Sequence, residues 1–198
     1  MPPPDPLPEQ IQFIVAVDRL KQVFRRSRLT DDSRWENDAE HSWHLALMAV
    51  VLHEHAASEV DLCKVLTMHL IHDLVEIDAG DTFAYDEEAN VGKEERERAA
   101  AERIFGLLPD DQGDCLRRLW EEFEARETPE ARYAAALDRL QPLILNYHMD
   151  GVTGWRRHGV RAPQVVDRNR HIAEGSPTLW EFARRLIADS VKEGKLEG

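Results

Sequence analysis

Apolar residues return at three- and four-residue intervals along nearly the whole of this 198-residue chain, a spacing that marks one face of an α-helix and not of a strand. From Glu9 to about Arg28, the positions Ile11, Ile14, Val15, Val17, Leu20 and Phe24 keep this period and predict a first amphipathic helix. After the polar stretch LTDDSRWEND, Asn37 with Glu40 three residues on forms a capping-box start. The second helix then runs from about Asp38 to Ala57, and Ser58 is placed to cap a third that ends near the Asp78–Asp81 turn. An acidic loop to about Gly92 leads into KEERERAAAERIFGLL, helical by propensity, and DDQGDCLRRLWEEFEAR gives another helix after Pro109. Thr128-Pro129 and Ser176-Pro177 each set a capping residue before proline at the first helical position, and a further helix opens near Pro163. No alternating run bounded by hairpin turns is evident, and no internal repeat. The expected fold is therefore all-α: a flexible tail over residues 1–8, then a single helical bundle of about seven to eight helices over residues 9–198.

The charge balance narrows the partners. With 38 acidic against 25 basic residues the net charge is −13, which argues against a polymeric nucleic acid, because phosphate-backbone binding needs a basic face. A phosphorylated ligand must be small, and held by a local cluster of positive charge or by a metal. Cys63 and Cys115 form neither a disulfide framework nor a CxxC motif. No run reaches the roughly 18 apolar residues of a membrane span, and MPPPDPLPEQ has no signal-peptide character. The expectation is a cytoplasmic protein without a membrane partner.

One apolar segment contradicts its own composition. In HLIHDLVEIDAGD, residues 69–81, the ionisable residues His69, His72, Asp73 and Glu76 stand at i, i+3, i+4 and i+7 among Leu70, Ile71, Leu74, Val75 and Ile77. On a helix they share one face, and burying them without partners costs several kcal/mol or more. A cation is the natural partner. Adjacent residues point about 100° apart, so His72 and Asp73 flank one ion and leave its far side to other helices. The candidates there are His41 and His44, just after the second helix cap, and Asp138 within ARYAAALDRLQPLIL, four residues before Pro142, where a distorted turn is expected. His41, His72, Asp73 and Asp138 make a mixed nitrogen and oxygen set suited to one divalent ion: Mn, Co, Mg, Zn or Fe. Such an ion retains water sites and lowers the pKa of a bound water toward neutrality.

The order His41, His72-Asp73, Asp138, with ENDAEHSWHLALMAVVL, IHDLVEIDAGD and LDRLQPLILNY around it, resembles the H…HD…D pattern of the HD-domain phosphohydrolases. The branch it is most similar to contains the 5′-deoxynucleotidases, and the likeness spans residues 20–148. The resemblance implies an all-helical fold, a divalent metal, phosphomonoester hydrolysis and commonly a homodimer. Carried over by position, it makes His41, His72, Asp73 and Asp138 the metal ligands, and places Glu76 and Asp81 beside the attacking water and the scissile phosphate. The branch also has an arginine followed by tryptophan before the first ligand. Here the text is VFRRSR, so Arg25 or Arg26 is the candidate phosphate contact and no tryptophan follows, which leaves ribose and deoxyribose undiscriminated.

Simpler readings stand beside these. Alone, His72-Asp73 is a buried hydrogen-bonded pair, Glu76 a carboxylate outside the reacting atoms, Asp81 a turn residue, and Arg25 and Arg26 solvated charges. His69 and His44 are expected to pack or support rather than to ligate. Trp43 and Trp120 read as core or interface residues, and KEERERAAAER as a solvated helix face. The expected activity is hydrolysis of nucleoside 5′-monophosphates or a similar small phosphate ester. Its alternatives are an HD-type hydrolase of phosphoanhydride, cyclic or alarmone nucleotides, or a non-catalytic nucleotide-binding module that keeps the metal as a staple.

Overall fold

The structure is a computed structural model that describes residues 5–82, 85 and 91–198. Its helices are α1 Leu7–Val17, α2 Asp38–Val51, α3 Leu62–Ile71, α4 Glu76–Ala79, α5 Lys93–Phe105, α6 Asp110–Ala125, α7 Pro129–His148, α8 Gly154–Arg157, α9 Ala162–Asn169, α10 Ile172–Gly175 and α11 Pro177–Lys192. Three of them, α4, α8 and α10, are single turns, which leaves eight longer helices. The all-α expectation is met, with one small exception described below.

The long helix α7 is the axis of the molecule. Ala131, Tyr133, Ala134, Ala135, Ala136, Leu137, Leu140 and Leu143 are all buried, and the run of alanines lets α2, α3, α6, α10 and α11 pack closely around it. The closest approach is at Gly175 of α10. A Cβ there would lie 2.2 Å from the Arg132 carbonyl oxygen of α7, so only glycine fits. Two apolar clusters result: one around α7 with α2, α3, α10 and α11, the other joining α1, α4, α5 and part of α6. Val65 and Met68 of α3 belong to the first, whereas Ile71, Leu74, Val75 and Ile77 belong to the second. His69, His72 and Asp73 lie on the stretch of chain that passes from one core to the other, and all three are buried.

Several boundaries differ from the sequence expectation, and each difference has a physical cause. The first helix ends at Val17, a 3-10 turn covers Asp18–Gln22, and Phe24–Arg28 is a strand, β1, paired antiparallel with β2, Trp35–Asn37. Of the residues read as helical apolar positions, Leu20 is core and Val17 packs against it, whereas Ile11, Ile14, Val15 and Phe24 are exposed. In the strand, side chains alternate, so Arg25 turns inward and Arg26 outward. The third helix is capped by Asp61, whose side chain accepts from the backbone of Cys63 and Lys64, and not by Ser58. It also stops early. After Ile71 the backbone tightens into i→i+3 bonds, Leu74 N–H to Ile71 and Glu76 N–H to Asp73, the 3-10 pattern. The second helix ends at Val51, short of Ala57. The capping box at Asn37 and Glu40, and the starts at Thr128-Pro129 and Ser176-Pro177, form as expected. The acidic loop before Gly92 falls largely on residues 83–84 and 86–90, outside the described residues.

Candidate metal centre and its cavity

The Asn37 cap fixes the start of α2 and thereby two fully buried polar residues in its first turn and a half, Asp38 and His41. The turn between α3 and α4 presents His72, Asp73 and Glu76 to the same point, and the middle of α7 brings in Asp138. His41 Nε2 lies 3.0 Å from Asp138 Oδ1 and 3.9 Å from Asp73 Oδ2, and His72 Nε2 lies 3.1 Å from Asp73 Oδ2. Ligand atoms of His41, His72 and Asp73 all fall within 4.8 Å of one another, as do those of Asp38, Asp73 and Glu76. Asp73 is common to both trios.

Several polar atoms of this cluster are left without a hydrogen-bond partner. His72 Nδ1 donates to the His69 carbonyl oxygen at 3.0 Å, which turns Nε2 toward an Asp73 carboxylate oxygen at 3.1 Å. His72 Nε2, both Asp38 oxygens and Glu76 Oε2 are buried without a hydrogen-bond partner. Acceptors that face acceptors need a proton or a cation between them. Two imidazoles and two carboxylates are a fitting donor set for a divalent ion, so His41, His72, Asp73 and Asp138 could hold one. In its absence the contact with Asp73 outweighs burial and pushes His72 up to about 9. His41 is pushed down to about 4 by burial and Arg25, which keeps it neutral at neutral pH.

The surrounding groups are tuned by the same imbalance. Burial, with Asp73 and Asp38 close by, holds Glu76 well above the usual carboxylate range, and burial with Asp73 pushes Asp38 to about 7. Two carboxyl groups in contact are compatible only when a proton is shared between them. Among the described residues, Arg25 is the strongest counter-charge to Asp73 and Asp38. Its Nη1 donates to Asp73 Oδ2 at 2.9 Å and lies 3.6 Å from Asp38. Burial disfavours its charge, but Asp73, Asp138, Glu76 and Asp38 together hold its pKa above the ordinary arginine value.

A cavity of about 250 Å³ opens beside the cluster, lined by Arg25, Arg26, Asp81 and Lys93 among others. Gly80, with φ +76°, makes the turn after α4 that delivers Asp81 to this cavity, where burial raises its pKa. Arg26 is exposed at the cavity wall. His69 turns away from the cluster and donates Nε2–H to the Ala134 carbonyl at 3.2 Å, while His44 meets the Gln141 side chain. Trp120 is core and Trp43 is exposed on α2. The α5 segment is less solvated than expected, because Glu97 is buried and pairs with Lys93 at 3.1 Å.

Sequence reasoning missed Asp38 and Glu36. Asp38 reads as an acid placed to suit the helix dipole, though its position three residues before His41 puts both on one face. Glu36 accepts from Gln141 Nε2 at 2.7 Å and faces His41 Nδ1 at 3.8 Å.

Comparisons with known proteins agree with this geometry. A family model described as HD domain matches residues 17–180. The 5′-deoxynucleotidase HDDC2 of Danio rerio is 29% identical over 145 residues, 73% of this chain and 71% of its own length. The human HDDC2 protein is 31% identical over 135 residues, 68% of this chain and 65% of its own length. A crystal structure from Magnetospirillum magnetotacticum MS-1, described as a "Predicted metal-dependent phosphohydrolase", superposes with a TM-score of 0.94 at 50% identity, covering 100% of this chain and 99% of that one. With the family model spanning most of the length and its HD pair at the centre of the buried cluster, the chain belongs to the HD-domain family.

Proposed function

We propose that the protein is a divalent-metal-dependent phosphohydrolase that cleaves phosphomonoesters such as (deoxy)nucleoside 5′-monophosphates to the nucleoside and phosphate, with His41, His72, Asp73 and Asp138 as the metal ligands. The observation that carries this reading is the convergence of His41, His72, Asp73 and further carboxylates on a point that a divalent cation fits, at the wall of a cavity large enough for a small ester. The names of the relatives support it, since they are 5′-deoxynucleotidases and a phosphohydrolase. A divalent ion in such a site acts as a Lewis acid on the phosphate and supplies a nucleophile at neutral pH.

The chain's own groups supply the rest. Glu76 and Asp38, sharing one proton, accept the proton of the attacking water at Glu76 Oε2. Asp81, whose carboxyl pKa burial raises above its ordinary value, gives a proton to the departing alcohol. Arg25, fixed by Asp73, offsets the charge that builds on the phosphate oxygens, and Arg26 meets the ester at the cavity wall. The same reading takes the protein as a homodimer through the outer face of α2, where Trp43, Leu47 and Val50 form an exposed apolar stripe at helical spacing. A Trp43→Glu variant is then expected to halve the solution mass measured by light scattering.

The test of the activity is phosphate release from ribo- and deoxyribonucleoside 5′-monophosphates after stripping the protein of metal and restoring Mn, Co, Mg or Zn. Release should require metal and fall at least about 1000-fold in Asp73→Ala, given the magnitude of metal-assisted catalysis. Turnover that survives stripping, or that Asp73→Ala leaves intact, would sink the proposal.

A further inference from the structure

The metal cluster occupies one side of the cavity; the other side is basic. Arg126 follows α6, Arg139 lies on α7 directly after Asp138, Arg168 is on α9, and His171 precedes α10, yet all four line this one space. In a chain of net charge −13 such a gathering of guanidinium groups is not a sample of the average surface. The carboxylate near Arg139 is that of Asp138, at 3.9 Å from Nε, and Asp138 is already committed to the metal cluster. Among the described residues no carboxylate lies within ion-pair distance of Arg126. His171 Nε2 is buried without a hydrogen-bond partner. The Arg168 guanidinium lies 5.6 Å over the Tyr85 ring, which holds it in place. Besides Asp81 and the carboxylates of the metal cluster, the acids that line the cavity among the described residues are Glu97 and Glu124, from α5 and α6, together with Lys93.

Like charges converging on a cavity repel each other, and a bound anion removes that repulsion. Burial and the neighbouring Arg139 pull Arg168 down to about 10, and burial with Arg139 and Arg126 pulls His171 to about 4. Guanidinium forks match phosphate oxygens in pairs, which an ammonium does not.

We propose that the substrate carries a second phosphate, and that Arg126, Arg139, Arg168 and His171 hold it while its ester phosphate is cleaved at the metal cluster. This rests on the phosphohydrolase reading above for the cleavage, but not for the binding. Adjacent helix residues point about 100° apart, so Asp138 and Arg139 direct the two phosphates to separate sides of the cavity. That suits phosphates on opposite sides of a single sugar ring rather than adjacent phosphates of an anhydride. In the reaction, the water oxygen bonds to the ester phosphorus, the P–O bond to the sugar breaks, the sugar oxygen leaves with a proton, and the second phosphate stays on the product. The cluster's contribution appears mainly in KM, since the second phosphate does not react.

The experiment is a pair of measurements on the metal-loaded full chain. Binding is followed by calorimetry with non-hydrolysable 5′-phosphonate analogues of deoxyadenosine, with and without a 3′-phosphate. Phosphate release is followed from deoxyadenosine 3′,5′-bisphosphate against the 5′-monophosphate, and from fructose 1,6-bisphosphate against fructose 6-phosphate. The expected result is at least about tenfold tighter binding with the second phosphate, as charge-assisted hydrogen bonds supply. Arg126→Gln, an exposed position, and Arg168→Gln should each remove most of that ratio, and Arg168→Lys should restore part of it. Preference within the nucleoside pair or within the sugar pair tells which scaffold carries the phosphates. Equal binding with and without the second phosphate, or a preference that both glutamine variants keep, overturns the proposal. A preference without release from any ester upholds the subsite and removes the hydrolysis reading instead.

Discussion

On the α2–α3 wall of the cavity, Asp38, Asp73 and Glu76 stand within ligand distance of one another and share one guanidinium, Arg25. On the opposite wall, Arg126, Arg139, Arg168 and His171 face the same space, and Arg139 is near a single carboxylate that already serves the first wall. The walls are the same physical problem with opposite sign: each gathers side chains of one charge type at one side of a shared space. Net charge therefore says little about a site. The −13 total describes the surface that solvent screens, whereas each wall selects a counter-ion class locally, a cation on one side and an anion on the other.

The acidic wall breaks with the largest effect. Glu76→Gln keeps the size and burial of the side chain but cannot accept a proton, and is expected to lower kcat by about 100- to 10,000-fold with metal content by elemental analysis unchanged. A parallel loss of metal would make Glu76 a ligand instead. Asp38→Asn is a gentler test of the same wall. Asp38 raises the Glu76 pKa, so its removal lowers it, and the acid limb of the kcat profile should move to lower pH with turnover reduced by about tenfold. An unmoved limb would separate the two carboxylates.

The two walls differ just as much in how far the sequence discloses them. His41, His72, Asp73 and Asp138 are legible because each is a polar residue in an apolar helical context, where burial without a partner is too costly to be accidental. Asp138 needs the most inference, and the structure does bring it to His41. The basic wall has no such signature. Arg126, Arg139, Arg168 and His171 come from four separate parts of the chain, and each alone reads as a surface charge; only the packing of α10 against α7, and of α9 against α11, collects them. The hairpin is hidden for a different reason. Five residues of β1 are too few to distinguish a period of two from a helical turn, and Arg25 is drawn inward by tertiary charge that lies 48 residues away at Asp73.

That packing suggests the smallest and most selective perturbation, aimed at the footing of the basic wall rather than at its charges. Gly175 ends α10, whose N-terminal neighbour is His171, and its Cα faces the Arg132 carbonyl so closely that a Cβ would come within 2.6 Å of the carbonyl carbon and 2.9 Å of the Ala136 Cβ. The obstacle is mainly backbone, so in Gly175→Ala α10 must move off α7 instead of a side chain turning aside. The Gly175 carbonyl also accepts from Ala57 N–H at 2.8 Å, and Ser176 Oγ donates to the His55 carbonyl, so the displacement strains contacts on both sides. Overpacking of this kind costs about 1–3 kcal/mol, a fall of a few degrees in Tm for a domain of this size. His41, His72 and Asp73 rest on α2, α3 and the turn after it, away from α10, and metal binding should persist. The second-phosphate preference should shrink, because His171 and Arg168 shift with the displaced segment. Loss of metal and of preference together would mean that the walls are one mechanical unit; loss of preference alone would show that the cavity was assembled from two independently supported halves.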